Sequence, residues 1–153
     1  MNVAAQGAKG ALDGLVVIDL TQMLAGPYST MMLADQGARV IKVEPPGGEN
    51  TRKAGPRAAG ALGIEQGGYG AYFASVNRNK ESIVLDLKDA AGKAALLRLL
   101  DQADVVVENF RSGVMERLGL SYEALAERCP KLVYATLRGF GDPRTGLSPY
   151  AEW

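Results

Sequence analysis

The sequence has no histidine and only one cysteine among its 153 residues. Without histidine, a Ser-His-Asp or Cys-His catalytic arrangement and the usual His-based zinc sites are excluded within this chain. The single cysteine, Cys129, cannot form an internal disulfide, which is typical of a protein from a reducing compartment. Any chemistry here must therefore use carboxylates, lysine, tyrosine or an oxygen nucleophile, and we assign no metal site.

Net charge and long apolar runs are also missing. Lys plus Arg and Asp plus Glu both number 17, so the formal net charge is zero. This balance gives no reason to expect wholesale nucleic-acid binding or a polybasic membrane surface. No apolar run reaches about 18 residues, and the N-terminus lacks a charged-then-apolar signal pattern. We expect a cytoplasmic protein with neither nucleic acid nor membrane as a partner, in which any anion site is local.

The sequence does contain apolar strand patterns that alternate with helical patterns. Buried strands are predicted at 15–20, 39–44, 82–87, 103–107 and 131–137. Between them, helices are predicted from Pro27 to Gly37, at 69–76, after a cap at Asp89, and at 112–118 and 121–128. This alternation predicts an α/β, Rossmann-like fold, in which right-handed crossovers wind a mainly parallel sheet with helices on both faces.

Finer features of these segments are also predicted. Residues 1–11 are expected to form a loose tail, and 12–153 a single domain. Residues 45–68 form a long loop with seven glycines and three prolines, and loops of that length are usually functional or mobile. Apolar core-facing stripes are expected in two helices, and Ser121 is expected to open a third. The stripe residues are Tyr28, Met31 and Met32 in the first helix and Leu96, Leu97 and Leu100 in the helix after Asp89.

Ligands of such sheets bind beyond the carboxyl ends of the strands, so the residues that follow the strands are candidate site residues. A dinucleotide would need G-x-G-x-x-G after the first strand, but 21–27 read T-Q-M-L-A-G-P, with Gly26 as the only glycine. Glu44 ends the second strand where a ribose-binding acid would lie, but a solvated strand terminus explains it as well. No G-x-x-x-x-G-K-[ST] loop is present. The glycine pattern therefore disfavours NAD and nucleoside triphosphates.

Coenzyme A fits these strand ends better, because its site needs scattered cations and apolar surface rather than a glycine cradle. Lys88, Arg111 and Arg117 are suitable cations, Phe110 offers a ring, and Asn109 offers a donor and an acceptor. Each also has a structural explanation, with Lys88 solvated, Phe110 in the core and Arg117 paired on a helix surface. The residue chemistry alone leaves both interpretations open.

Six stretches, in order along the chain, resemble the family III CoA-transferases. This family includes formyl-CoA transferase, carnitine CoA-transferases of the CaiB/BaiF type and the related α-methylacyl-CoA racemases. Six ordered segments are far more specific than one motif. The stretches are L-D-G-L-V-V-I-D-L-T (12–21), A-G-P-Y (25–28), L-A-D-Q-G-A-R-V-I-K-V-E-P-P-G-G-E (33–49), N-R-N-K-E-S-I-V-L-D-L-K (77–88), A-D-V-V-V-E-N-F-R-S-G-V-M-E-R-L-G (103–119) and R-G-F-G (138–141).

The resemblance implies that CoA lies across the strand ends. Some members have a basic residue directly after the acid of the second strand, whereas this chain has Pro45, and Arg52 is the candidate replacement. The stretch 103–119 is then a rim of the CoA site. The positions that match the family's CoA contacts are Leu24, Ala25, Leu85 to Lys88, Asn109, Phe110, Arg111 and Arg117.

The resemblance also implies an activity that this chain does not complete. Family transferases use an aspartate nucleophile, which forms an aspartyl-CoA thioester and lies beyond the R-G-F-G segment. No carboxylate here matches it, so we expect the N-terminal CoA-binding portion of an acyl-CoA:carboxylate CoA-transferase, inactive alone and without a catalytic residue. Its partners would be acyl-CoA and a carboxylic acid acceptor. The full-length form would be an interlocked homodimer, so the chain alone should leave apolar surface uncovered. Two alternatives are a racemase fragment and a non-catalytic CoA-binding module.

Overall fold

The computed structural model describes residues 10–56, 69–139 and 141. Its centre is a five-stranded parallel sheet with the strand order β3-β2-β1-β4-β5. The first three strands are added toward one edge of the sheet, and the chain then crosses back to place β4 on the other side of β1. This is the topology of a Rossmann-like fold. The predicted fold class is confirmed. The strands are β1 (Val16–Asp19), β2 (Arg39–Glu44), β3 (Lys80–Val84), β4 (Val105–Glu108) and β5 (Val133–Thr136).

The third strand begins earlier and ends earlier than its predicted range of 82–87. In the structure β3 runs over Lys80–Val84, and the backbone N–H of Leu85 still bonds to the carbonyl of Glu44. The cause is that β3 is an edge strand whose residues are mostly exposed, so it tolerates Lys80, Glu81 and Ser82. The buried apolar pattern therefore predicted a start of β3 that is two residues too late.

Helices cover both faces of the sheet, and their predicted ends are largely confirmed. Asp89 accepts hydrogen bonds from the first turn of its helix, Ser121 does the same for the next, and Gly37 takes a positive φ of 101° after the first helix. That first helix starts two residues before Pro27, whose missing N–H costs nothing in a first turn. The helices are α1 (Ala25–Asp35), α2 (Ala71–Asn77), α3 (Ala90–Leu100), α4 (Val114–Arg117) and α5 (Tyr122–Arg128), with a 3₁₀ turn at Asn50–Lys53.

Two apolar clusters hold the helices on the sheet, one on each face. On one face, Val17, Val40 and Val107 pack with the alanines near the end of α1. On the other face, strand side chains pack against α3, α4 and α5, as alternation along a strand requires. The predicted stripe of α3 is confirmed, since Leu96 and Leu100 are buried here and Leu97 packs against the same cluster.

The predicted stripe of α1 is wrong in part. Met31 is buried, but Tyr28 and Met32 are 50% and 47% exposed. Only one narrow side of α1 faces the sheet. On that side Gly26 and Thr30 lie close to the end of β1, and a Cβ at Gly26 would lie 2.4 Å from Cβ of Thr21. Leu24, Tyr28 and Met32, four residues apart, therefore form an exposed apolar row that we call the α1 stripe.

The structure also shows part of the loop after β2, the surroundings of the single cysteine and the lengths of the helices. The predicted loop at 45–68 is described as far as residue 56, and 57–68 lie outside the described residues. Cys129, just after α5, is half-buried, with its Sγ 3.6 Å from a carboxylate oxygen of Asp101. In the described part of the chain, no helix has the length and apolar character needed to cross a membrane.

Candidate functional site

An apolar cleft of about 200 Å³ lies at the carboxyl ends of the central strands. Its walls come from the ends of β1 and β2, from the turn after β3 and from the segment after β4. Parallel strands direct their carboxyl ends to one edge, which brings together residues that are distant in sequence. The cleft therefore has the size and character to hold a flat apolar group. Its apolar lining includes Val43, Pro45, Leu85, Leu87, Phe110 and Leu118.

A cationic cavity of about 370 Å³ adjoins this cleft, and the two share Leu87, Lys88, Val114 and Leu118. Three basic residues line it: Lys88 after β3, Lys93 in the first turn of α3, and Arg117 at the end of α4. The sequence predicted Lys88 and Arg117 as cations of the site but did not indicate Lys93. The available signal was its position four residues after the Asp89 cap, close to Lys88.

A third and larger cavity, of about 850 Å³, adjoins the apolar cleft. Gln22, Phe110 and Val114 line both this cavity and the cleft. The predicted residues Ala25, Asn109 and Arg111 line the larger cavity. The structure thus places the predicted residues around these three cavities, except that the exposed side chain of Leu24 lines none of them.

Asn109 uses its side chain to hold the segment after β1. Its Oδ1 accepts the backbone N–H of Gln22, and its Nδ2 donates to the carbonyl of Gln22, both at 2.8 Å. This pair of bonds joins segments that are 87 residues apart in sequence. Asn109 therefore shapes the wall of the larger cavity, a contribution that its position at a strand end did not reveal.

A buried ion pair holds the same segment from the other side. Lys42 and Glu49, whose side chains are each 1% exposed, lie 2.8 Å apart, and Lys42 also donates to the carbonyl of Thr21. Glu49 accepts the backbone N–H of Met23 at 2.7 Å and the hydroxyl of Thr51. Met23 has a positive φ of 71°, which is uncommon for a residue with a side chain. The ion pair stabilises this strained turn, which leads directly into Leu24 and α1.

Glu44 organises the loop after β2. Its carboxylate accepts two hydrogen bonds from Arg52, one from Ser82 and one from the backbone N–H of Glu49. Burial alone would raise the pKa of Glu44, but these donors, led by Arg52, outweigh it and hold the pKa at about 2. Arg52, whose guanidinium also stacks on Phe73, is thereby directed away from the cationic cavity. Arg52 lines neither the apolar cleft, to which Pro45 contributes, nor the cationic cavity.

Glu108 shapes the turn after β4. Its buried carboxylate accepts the backbone N–H of Phe110 and hydrogen bonds from Thr136 and Arg138 on the neighbouring strand end. This fixes the orientation of the Phe110 backbone. Among the described residues, Nε of Arg138 has no hydrogen-bond partner, although it is buried in the wall of the larger cavity.

The fold and its cleft define a class of wound α/β domain with ligand-sized cavities at the carboxyl edge of the sheet. The chain belongs to CoA-transferase family III, whose family model matches residues 12–153. The family resemblance drawn from six ordered stretches is confirmed. Enzymes of this kind take CoA thioesters as substrates.

Individual relatives agree with this membership. A succinyl-CoA:mesaconate CoA-transferase from Haloarcula hispanica is 54% identical over 137 residues, which make up 90% of this chain and 34% of the relative. An acetyl-CoA:oxalate CoA-transferase from Acetobacter aceti is 53% identical over 134 residues, or 87% of this chain and 32% of the relative. The crystal structure of a CAIB/BAIF family protein from Brucella suis superposes with a TM-score of 0.81 at 42% identity, covering 87% of this chain and 34% of that one. The chain spans about a third of the length of these relatives.

Proposed function

We propose that this chain is the CoA-binding portion of an acyl-CoA:carboxylate CoA-transferase. In this proposal the adenine ring occupies the apolar cleft beside Phe110, and the phosphates meet Lys88, Arg111 and Arg117. The pantetheine arm runs past Phe110 into the larger cavity, along Ala25 and Asn109. Leu24 and Leu85 contribute backbone and apolar contacts on the two sides.

The observation that supports this proposal most is that three cavities of different character adjoin one another. A cationic cavity, an apolar cleft and a larger mixed cavity meet at this edge of the sheet, with Val114 lining all three and Phe110 lining the last two. CoA combines phosphates, an apolar ring and a long, weakly polar arm, and each cavity suits one of these parts. A ligand site with an apolar body and a few placed polar groups is the usual pattern for small molecules.

The transferase reaction needs a nucleophile that we place outside these 153 residues, as an aspartate that forms an aspartyl-CoA thioester. Support comes from the four buried carboxylates at the described edge, each of which is paired with a basic residue. Asp19 is paired with Lys80, Glu44 with Arg52, Glu49 with Lys42 and Glu108 with Arg138. A carboxylate buried in such a pair is not free to attack a thioester. We therefore propose that the chain alone binds CoA without transferring it.

Calorimetric titration of the chain with CoA tests the binding step. We expect a saturable exotherm that adenine nucleotides weaken by competition, together with no transfer of CoA between a thioester and a free carboxylate. The variant Phe110→Ala removes a ring that lines two of the cavities and should weaken CoA binding. Absence of binding by the folded chain would contradict the proposal, and so would turnover by the chain alone.

We further propose that the α1 stripe is covered in the whole enzyme, which we take to be a cytoplasmic interlocked homodimer. Support comes from the exposed row Leu24, Tyr28 and Met32, since contiguous exposed apolar patches mark interaction surfaces. The chain alone should therefore self-associate. Light scattering is expected to show a concentration-dependent mass that Met32→Glu reduces, and a stable monomer at high concentration would contradict this.

A further inference from the structure

We propose that Lys93 is a third phosphate-binding cation, and that it gives the site its preference for CoA over dephospho-CoA. This inference rests on the proposed function, and it assigns the cationic cavity to the 3′-phosphate of the ligand. Lys93 lines that cavity together with Lys88 and Arg117.

The local fold at the start of α3 brings Lys93 to this cavity, beside Lys88. Asp89 caps α3 by accepting the backbone N–H groups of Ala91 and Gly92, and the N–H of Lys93 bonds to the carbonyl of Asp89. A Cβ at Gly92 would lie 2.1 Å from the carbonyl oxygen of Asp86. Only glycine therefore lets the first turn of α3 pack against the turn at 86–89, and this packing brings Lys93 to the cavity beside Lys88.

The charges around this cavity are of one sign. Its lining consists of the three basic residues and the apolar residues Leu87, Val114 and Leu118, with no carboxylate. Two acids of the turn at 86–89 hydrogen-bond to the backbone, since Asp89 caps α3 and Asp86 accepts the N–H of Lys88. Within the described ranges, no salt bridge engages Lys88, Lys93 or Arg117. Three neighbouring cations repel one another, and a multiply charged anion relieves that repulsion.

The position of the cavity favours the 3′-phosphate over the pyrophosphate. Phe110 and Arg111 line the larger cavity, where the pantetheine arm is placed, and neither of them lines the cationic cavity, although Val114 lines both cavities. The pyrophosphate is bonded directly to the pantetheine arm, so we assign it to Arg111. The phosphate that remains for the three cations of the other cavity is the one on the ribose 3′ position.

The experiment compares CoA and dephospho-CoA by calorimetry on the folded chain and on matched variants. Lys93→Met keeps the apolar stem and removes the charge, Lys93→Arg restores a cation, and Lys131→Met removes an exposed charge at the amino edge of the sheet. We expect the wild-type chain to bind CoA about tenfold more tightly than dephospho-CoA. Lys93→Met should lose about tenfold for CoA and less than twofold for dephospho-CoA, whereas the other two variants should retain the preference.

The outcomes separate this inference from the function on which it rests. If the wild-type chain binds neither ligand, both fail. If it binds both ligands equally, or if Lys93→Met weakens both by the same factor or neither, the proposed function stands and the role of Lys93 is overturned. Circular dichroism and the urea midpoint of each variant confirm that the comparison is made on folded protein. If Lys93→Met does not fold, Lys93→Gln replaces it and carries the same expected outcomes.

Discussion

The two sides of the carboxyl edge of the sheet use charge in opposite ways. On the β1–β2 side, Lys42, Glu49, Glu44 and Arg52 are buried or half-buried, and each is paired. On the α3–α4 side, the basic residues of the cationic cavity line an open space without a carboxylate. Paired and buried charges hold a loop in one shape, whereas unpaired charges remain available to a ligand. The charged residues of the β1–β2 side therefore hold the site in shape, whereas those of the α3–α4 side are the ones that we expect to bind the ligand.

The largest effect is expected from breaking the buried pair on the β1–β2 side. Glu49→Ala leaves Lys42 charged and buried, and the loss of one partner of such a pair costs about 3–5 kcal/mol of unfolding free energy. Glu49→Gln keeps an acceptor for the N–H of Met23 and should lose less. Urea denaturation measures both losses.

The control for this change is the surface pair of Arg39 and Glu81, whose side chains are 60% and 57% exposed. Glu81→Ala should leave the urea midpoint nearly unchanged, because exposed pairs are screened by water. Equal midpoints for Glu49→Ala and Glu81→Ala would show that the buried pair does not stabilise the turn at Met23.

A pH titration sharpens the comparison, because Glu44 has a pKa of about 2 in the folded chain against an ordinary value of 4.5. A lowered pKa means that stability is present above the unfolded value and is lost as the pH falls from about 4.5 toward 2. The contribution at neutral pH is up to about 3 kcal/mol. The unfolding free energies of wild type and Glu44→Gln should therefore differ most above pH 5 and converge in acid.

The matched control for the titration is Asp101→Asn. Asp101 also has a lowered pKa, caused by hydrogen bonds from Arg128, but both side chains are exposed. Its removal should change the pH profile much less than Glu44→Gln does. A Glu44→Gln profile parallel to that of wild type throughout would contradict the assignment.

A smaller loss is expected at the junction of the two sides, where Asn109 holds Gln22. Asn109→Ala leaves the N–H and carbonyl of Gln22 without these partners and should cost about 1–2 kcal/mol. Hydrogen exchange at Gln22 should accelerate more than exchange in β1. Asn50→Ala, an exposed amide in the 3₁₀ turn, serves as control, and unchanged exchange at Gln22 would argue against the link.

The smallest effect on stability is expected on the α3–α4 side. Arg117→Met should change the unfolding free energy by less than about 0.5 kcal/mol, because exposed positions contribute little. The same variant should lower CoA affinity about tenfold, while Arg98→Met, an exposed cation toward the other end of α3, should not. A large loss of stability with unchanged CoA affinity would reverse the assignment of the two sides.

Local patterns predicted most of the fold. Asp89 and Ser121 cap helices where the sequence places them, and Leu96 and Leu100 face the core, because these features depend on residues within one or two turns. The errors have one physical cause. The start of β3 and the exposure of Tyr28 depend on which neighbours an element meets across the sheet, and sequence spacing does not contain that information.

The sequence predicted which edge of the sheet carries the candidate site, but not the side-chain bonds that hold its walls together. Strand ends correctly indicated Lys88, Phe110 and Arg117 as neighbours of one edge. The partnership of Asn109 with Gln22 and that of Lys42 with Glu49 join distant segments through single side chains. No periodicity predicts such bonds, so the sequence did not indicate that these side chains hold the walls of the site.

Cys129 offers a position at which a reporter dye can be attached to the chain. It is the only thiol in the chain, and it follows α5 at the amino edge of the sheet, far from the cavities. A maleimide dye attached there would therefore report on association or unfolding without occupying the ligand cavities. Burial, helped by the carboxylate of Asp101, raises the pKa of the Cys129 thiol, so coupling should be slow at neutral pH and faster in mildly alkaline buffer.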